Sequence, residues 1–315
     1  MSKVSILIPV FNREQFIAEC IQSALDQTFT DFEVVLVDNN SNDGTWEICE
    51  SFAAKDSRVR IFQNQTNIGP VRNWRRCAEE AKSEFCKILF SDDTLDAHCL
   101  AEMVPKLEDP DIAFVYCAAR VGETMSKSEI RYAIRRSKRL SSNYLISLLT
   151  RGKASVSPGS ILIRRKDFLS NLHTNFPTST PRPFDRHGAG PDVMVLLLTL
   201  EKYKYVANIA QPLVYFRAHP DSFSIANSSN QINEGYDSAI AYYLFNKTGY
   251  FPWVSFVAKS WLRRIKKEQR WLNPTEYLMG HEGKDSFRDI FIMIVFAIGH
   301  VINHVFLSFL PMNRS

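Results

Sequence analysis

The first 120 residues predict an α/β fold in which a mostly parallel sheet is flanked by helices. Short apolar runs alternate with longer stretches of helical periodicity. Their lengths suit right-handed β–α–β crossovers, which build a parallel sheet covered on both faces. The polar residues, moreover, gather just after the apolar runs, where such sheets bind ligands.

Taken in order, residues 4–9 form a short apolar strand that ends at Pro9. Residues 13–27 place Phe16, Ile17, Cys20, Ile21, Ala24 and Leu25 at helical spacing. Residues 32–38 are a second strand, followed by the turn-rich run Asn39-Asn40-Ser41-Asn42-Asp43-Gly44. A helix is expected over 45–55, a third strand over 59–63, a helix over 70–82 and a fourth strand over 85–90. From about 116 to 151 the pattern loosens into polar and basic residues that suggest a mobile insertion. Beyond it, 160–164 reads as a strand, 176–190 as a Pro/Gly-rich loop, 192–203 as a helix and 206–217 as a last strand. From about 231 the chain is helical and ends in an apolar segment. The expected division is thus a catalytic domain over 1–230, in halves 1–115 and 116–230, and a helical region over 231–315.

Bulk properties narrow the classes. The 315 residues are 45% hydrophobic, enough for a large core, and a net charge of +4 does not call for nucleic acid as a partner. Basic clusters at 131–139 and 263–267 indicate local contact with an anionic surface. The N-terminus lacks a signal-peptide layout. Six cysteines, all within the first 117 residues and without metal-finger spacing, read as reduced packing thiols. The expected location is cytoplasmic.

Four groups of residues carry chemistry. Asp92 and Asp93 follow the fourth strand, and adjacent carboxylates repel unless a cation or a helix N-terminus accounts for them. Mn2+ or Mg2+ fits, because such ions take one or two carboxylates and complete their shell with phosphate oxygens. Asp38 closes the second strand and either accepts from a base or ribose or organises an Asx-turn toward Ser41. Gly44 is expected to be left-handed within that turn. Phe11 offers a ring at the end of the first strand, and Asn12 a cap for the helix after it. Arg72 stands near a helix start that favours phosphate.

Val4-Ser5-Ile6-Leu7-Ile8-Pro9-Val10-Phe11-Asn12, Val34-Val35-Leu36-Val37-Asp38 with its turn through Thr45, Asn67-Ile68-Gly69 and Ser91-Asp92-Asp93 recur in the order and spacing of one family. The chain closely resembles the family 2 glycosyltransferases over residues 4–110 and more loosely to about 225. The resemblance implies the GT-A, Rossmann-like fold and a nucleotide-sugar donor, UDP- or GDP-linked. It implies Phe11 stacked on the base, Asp38 and Arg72 contacting it, Pro9, Asn12 and Ser91 lining the donor site, Asp92 on the ribose, and Asp93 on the metal. Two departures stand out. Many members carry a further Asp where this chain has Phe90, and Pro191 replaces the Glu that precedes Asp192 in the family motif.

On that resemblance Asp192 is the expected general base, with Asp185 in reserve, although Asp192 also suits a helix N-cap. Tyr215-Phe216-Arg217-Ala218-His219 resembles a second family signature. It puts Arg217 near the leaving diphosphate and His219 at the metal, while Pro158-Gly159-Ser160 lies beside the acceptor. The implied reaction is a single inverting displacement onto a glycan or lipid-linked saccharide, as in O-antigen or other polysaccharide synthesis. A non-catalytic nucleotide-sugar-binding protein, kept open by Phe90 and Pro191, is one alternative. A nucleotidyltransferase is the other, and it lacks its Gly-rich loop after the first strand.

The segment 290–310 has the length of a bilayer span, but His300, Asn303, His304 and Ser308 form a polar stripe along it. An interfacial helix, or one paired with a second copy as a homodimer, fits that stripe better. Trp261 and Trp271 bracketing Arg263, Arg264, Lys266 and Lys267 add a membrane-surface pattern.

Overall fold

The computed structural model describes residues 2–134, 137–149, 155–174, 188–220, 222 and 229–247. The reserve carboxylate Asp185 and the C-terminal segment at 290–310 lie outside them, as do the tryptophan- and lysine-rich stretch before it and most of the 176–190 loop. Among the described residues no helix is long and apolar enough to cross a membrane. The chain divides into two compact units, Met1–Asn175 with Phe184–Ile232, and Phe176–Pro183 with Asn233–Ser315.

The larger unit is built on one sheet. Its strands are β1 (Val4–Val10), β2 (Phe32–Asp38), β3 (Val59–Gln63), β4 (Phe85–Ile88), β5 (Thr94–Leu95), β6 (Ile112–Gly122), β7 (Ser128–Arg131), β8 (Lys138–Leu140), β9 (Ile161–Arg164) and β10 (Tyr205–Arg217). The helices are α1 (Ile17–Leu25), α2 (Thr45–Ala53), α3 (Pro70–Glu80), α4 (Cys99–Leu107), α5 (Ser141–Leu149), α6 (Arg165–Asn171) and α7 (Pro191–Leu200), and α8 (Ser229–Lys247) crosses into the second unit. The order is β3-β2-β1-β4-β9-β6-β10-β5, with β7 beside β6 and β8 beside β10.

β1 and β2 are buried at every position, as parallel strands covered on both faces must be. Val4, Ile6, Ile8 and Val10 join the apolar faces of α1 and α4 in one core. α3 packs on β1 and β2 outside that cluster. Pro9 is buried in β1, and lacking an N–H it cannot donate to a ladder. The β1–β4 pairing stops before it, at Leu7 with Ile88. All six cysteines are buried free thiols.

The region from 116 to 151 departs from the expectation of a loose insertion. Residues 112–122 form β6, which pairs with β10 along nearly its whole length, and β7, β8 and α5 follow. The periodicity is unreadable there because β6 is apolar through Ala119 and buried on both faces, while β7 and β8 are short edge strands. The sheet is also mixed. β9 runs antiparallel to β4 and β6, and β10 runs parallel to β6. Two reversals return β6 and β10 to the direction of β1, so their C-terminal ends reach the same edge as Val10, Asp38 and Ile88. Register shifts around Pro212 bend β10 just before it delivers Tyr215, Phe216 and Arg217 to that edge.

Candidate active site

The loops after β1 and β2 are laced together. Asn12 accepts from the Asn42 N–H through Oδ1 and donates its own N–H to Ser41 Oγ. The Arg13 N–H donates to Thr45 Oγ1, and the Glu14 N–H to Asp43 Oδ2. Asn12 therefore does not cap α1, whose N-cap residue is Phe16. Its φ of 51° and that of Asn40, 66°, are left-handed, a conformation asparagine tolerates better than most residues. Gly44, expected there, has φ −70°. Its N–H donates to Glu14 Oε2, and the left-handed turning is done by the asparagines.

Asp38 is 1% exposed, and its carboxylate accepts from the Ser41 N–H, the Ser41 hydroxyl and Gln63 Nε2. Asp38 thus organises the turn through the N–H three residues on, not the two of an Asx-turn, and a direct contact with a base would need Ser41 to turn away. Next to it, Asn39 donates to Asn67 Oδ1 and accepts from Asn64 Nδ2 and the Ile68 N–H. This ties the ends of β2 and β3 to the start of α3. Arg72 is exposed in the first turn of α3, and Phe11 is a 39% exposed aromatic at the end of β1.

The second half of the site follows β4. The strand ends at Ile88 rather than Phe90, and a turn through Ser91 and Asp92 leads to Asp93 and β5. Neither aspartate caps a helix, since α4 begins only at Cys99. Asp92 Oδ2 lies 2.9 Å from His219 Nε2 and 3.8 Å from Arg13 Nε. Asp93 Oδ1 accepts the Arg217 N–H at 2.9 Å. Burial, and then the neighbouring charge of Asp92, push the Asp93 carboxyl well above the ordinary aspartate range. The Arg217 guanidinium pairs with Glu19 and lies over the Phe16 ring, which also packs on His219. Arg217 Nε is buried and has no partner among the described residues.

Arg13, Phe16 and Glu19 were not singled out from the sequence. Helical periodicity marked Phe16 as core, and nothing local marks an Arg or Glu on α1 or the loop before it as facing residues two hundred positions away.

Asp192 lies two residues beyond the left-handed Gly190, whose φ is 117°. It is buried, and Oδ1 accepts from the Gly190 and Val193 N–H groups at 2.7 Å. It lines an apolar pocket with Ile88, Pro158, Phe168, Val195 and Leu196, behind the end of β4. Asp38 and Asp93 are not among the residues of that pocket. Gly159 follows Pro158 of this pocket. A Cβ there would meet Phe216 Cε1 at 2.8 Å and Phe90 Cδ2 at 3.3 Å. Phe90 packs in turn on Trp74, with ring centroids 5.5 Å apart. Phe90, where the family resemblance leads one to expect an acid, thus belongs to an aromatic cluster.

Whether a divalent cation suits these residues is decided by their donors. Among the described residues no three carboxylate, imidazole or thiol groups form a ready-made cation cage. Asp92 and Asp93 are two adjacent carboxylates under electrostatic stress, with an imidazole at hand, which suits an ion that draws its remaining ligands from phosphate.

Residues 5–172 match the sequence profile of the family described as glycosyl transferase family 2. The chain is 29% identical over 108 residues to glycosyltransferase GlyG of Streptococcus pneumoniae, covering 34% of this chain and 36% of that protein. It is 32% identical over 110 residues to the GalNAc(5)-diNAcBac-PP-undecaprenol beta-1,3-glucosyltransferase of Campylobacter jejuni, covering 35% and 36%. The matched stretch spans about a third of each of these relatives. Among solved structures, the fold is similar to S. aureus TarS 1-349 in complex with UDP-GlcNAc, with a TM-score of 0.63 at 18% identity over 84% of this chain and 73% of that one. It is also similar to the mannosyltransferase PcManGT from Pyrobaculum calidifontis in complex with GDP-Man and Mn2+, with a TM-score of 0.51 at 14% identity over 96% and 87%. At such identities the likeness is one of fold, and the fold is GT-A.

Proposed function

Since this chain belongs to glycosyl transferase family 2, we propose that it moves a sugar from a UDP- or GDP-linked donor onto a hydroxyl of a glycan or lipid-linked saccharide, with inversion at the anomeric carbon. The observation that carries this reading is the pairing of stresses at one edge of the sheet. The Asp93 carboxyl is held above its ordinary range beside Asp92, and the Arg217 Nε is buried without a partner among the described residues. The first calls for a cation and the second for an anion. A metal-bound diphosphate supplies both.

In this reading Asp93, with Asp92 and His219, holds Mn2+ or Mg2+, which when bound offsets charge on the departing diphosphate. Phe11 stacks on the base, Arg72 approaches it or the phosphates, and Asp38 keeps the supporting loop in place. Arg217 steadies the diphosphate from the other side. Asp192 takes the proton of the acceptor hydroxyl, with no covalent enzyme intermediate. Solved relatives in fold carry UDP-GlcNAc and GDP-Man, and the Campylobacter jejuni relative is named for a PP-undecaprenol-linked saccharide. The composition of 290–310 supports a peripheral place on the inner face of the cell membrane, where such an acceptor is met.

The test is a panel of nucleotide sugars screened for thermal stabilisation with Mn2+. A donor raises Tm with the logarithm of its concentration above its Kd, and Asp93→Ala removes the Mn2+-dependent part. A panel in which no UDP- or GDP-sugar stabilises the protein, with or without Mn2+, sinks the reading.

A further inference from the structure

Glu19 stands on the exposed face of α1, whose buried face is Ile17, Cys20, Ile21 and Ala24. A carboxylate in the first turn suits the positive end of a helix, and that alone would leave the side chain in water. It is not left there. Its Oε2 accepts from Arg217 Nη2 at 2.5 Å, a contact across 198 positions of sequence. With 61% of the Glu19 side chain open to solvent, such an ion pair adds little to stability. Its consequence lies in how it leaves the arginine.

Arg217 is restrained from several sides. Its backbone N–H is fixed on Asp93 Oδ1. Its guanidinium carbon lies 5.1 Å from the centroid of the Phe16 ring and 5.8 Å from that of Tyr215. Phe16, three residues before Glu19, also packs on His219 with ring centroids 4.7 Å apart. Glu19 then takes Nη2, while Nε remains buried and without a partner among the described residues. A long side chain loses rotamer freedom when it binds an anion, and a guanidinium already pinned loses less.

We infer that Glu19 is a positioning residue of the donor site, which pins the Arg217 guanidinium on Phe16 and Tyr215 and so keeps Nε available to a phosphate oxygen. This rests on the reading of Arg217 as the group that steadies the diphosphate. Glu19 acts through Arg217 and not on the substrate.

The test uses the full chain with Glu19→Ala, Arg217→Met and the double variant. Alanine suits an exposed helical position, so the Tm of Glu19→Ala should stay within about 2 °C of wild type. Affinity for UDP and GDP with Mn2+ is measured by calorimetry, and affinity for uridine and guanosine by competition against whichever diphosphate binds. Glu19→Ala should weaken the diphosphate roughly 3- to 10-fold and leave the matching nucleoside unchanged. In the Arg217→Met background the same substitution should change nothing further. Arg217→Gln takes its place where the methionine variant does not fold. Diphosphate affinity that is unchanged or tighter in Glu19→Ala overturns the inference. So does an equal loss for the nucleoside, or a loss that persists without the guanidinium. A wild-type protein that binds neither UDP nor GDP removes the donor-site reading itself, a failure visible before any variant is made.

Discussion

The backbone N–H of Arg217 donates to Asp93 Oδ1 across 124 positions of sequence. It joins the loop after β4 to the last residue of β10, and through its neighbours it draws His219 onto Asp92 and Arg217 onto α1. The contact exists because β9 reverses direction between β4 and β6, which lets β10 end beside the diacid. Several expected outcomes depend on the chemistry gathered there.

Asp93→Asn should raise stability at neutral pH in the absence of metal while abolishing transfer. The Asp93 carboxyl titrates above the ordinary aspartate range in the folded protein because of burial and the charge of Asp92. Its contribution to stability is therefore fully present below the ordinary range and is lost as pH rises through the elevated value. At pH 8 the unfolded chain carries Asp93 ionised, and folding must either bury that charge or take up a proton, a cost that asparagine lacks. Thermal unfolding in EDTA should show the variant melting roughly 3 °C or more above wild type at pH 8, with the gap closing toward pH 4. A gap that widens on acidification contradicts the assignment.

Asp192→Asn separates capping from catalysis. Asparagine keeps an oxygen where Asp192 Oδ1 accepts from Gly190 and Val193, so Tm should stay within about 2 °C of wild type. Loss of the base should lower kcat by about 100-fold or more with little effect on donor affinity. Turnover equal to wild type would remove Asp192 from the chemistry.

Asp38→Ala should act through the loop. It strips the acceptor from Ser41 and Gln63 in a buried setting, which costs about 2–3 kcal/mol and lowers Tm accordingly. Because Ser41 holds Asn12, nucleotide affinity should fall as well. A fall in affinity with Tm unchanged would point instead to direct contact with the base.

Gly159→Ala should destabilise by about 1–3 kcal/mol, since its Cβ would sit 2.8 Å from Phe216 Cε1. Adding Phe216→Leu should recover part of the loss in denaturant unfolding. Additive effects in the double variant would show that the two positions do not touch.

Much of the fold is legible in the chain from Val4 to Ile88. β1 and β2 are mostly apolar and buried throughout, and α1 and α3 each have one buried face, so local pattern and tertiary burial agree. Legibility fails at β6, where an apolar run through Ala119 runs on into polar residues and gives no period, and at β5, where two residues form a strand only because β10 lies beside them. The Gly44 turn was misread for a similar reason. The left-handed positions fell to Asn12 and Asn40, whose side chains or neighbours are held by the facing loop.

The sequence by itself determined the order of strands and helices up to the diacid, and with it the family and the presence of Asp38, Asp92 and Asp93 at strand ends, because alternation and turn chemistry are local properties. Only the tertiary structure decided which distant groups those carboxylates meet. Arg13 against Asp92, Arg217 over Phe16, and Glu19 against Arg217 all depend on strand direction and register. Those are set by how the whole sheet buries its two faces, and no short window of sequence carries that information.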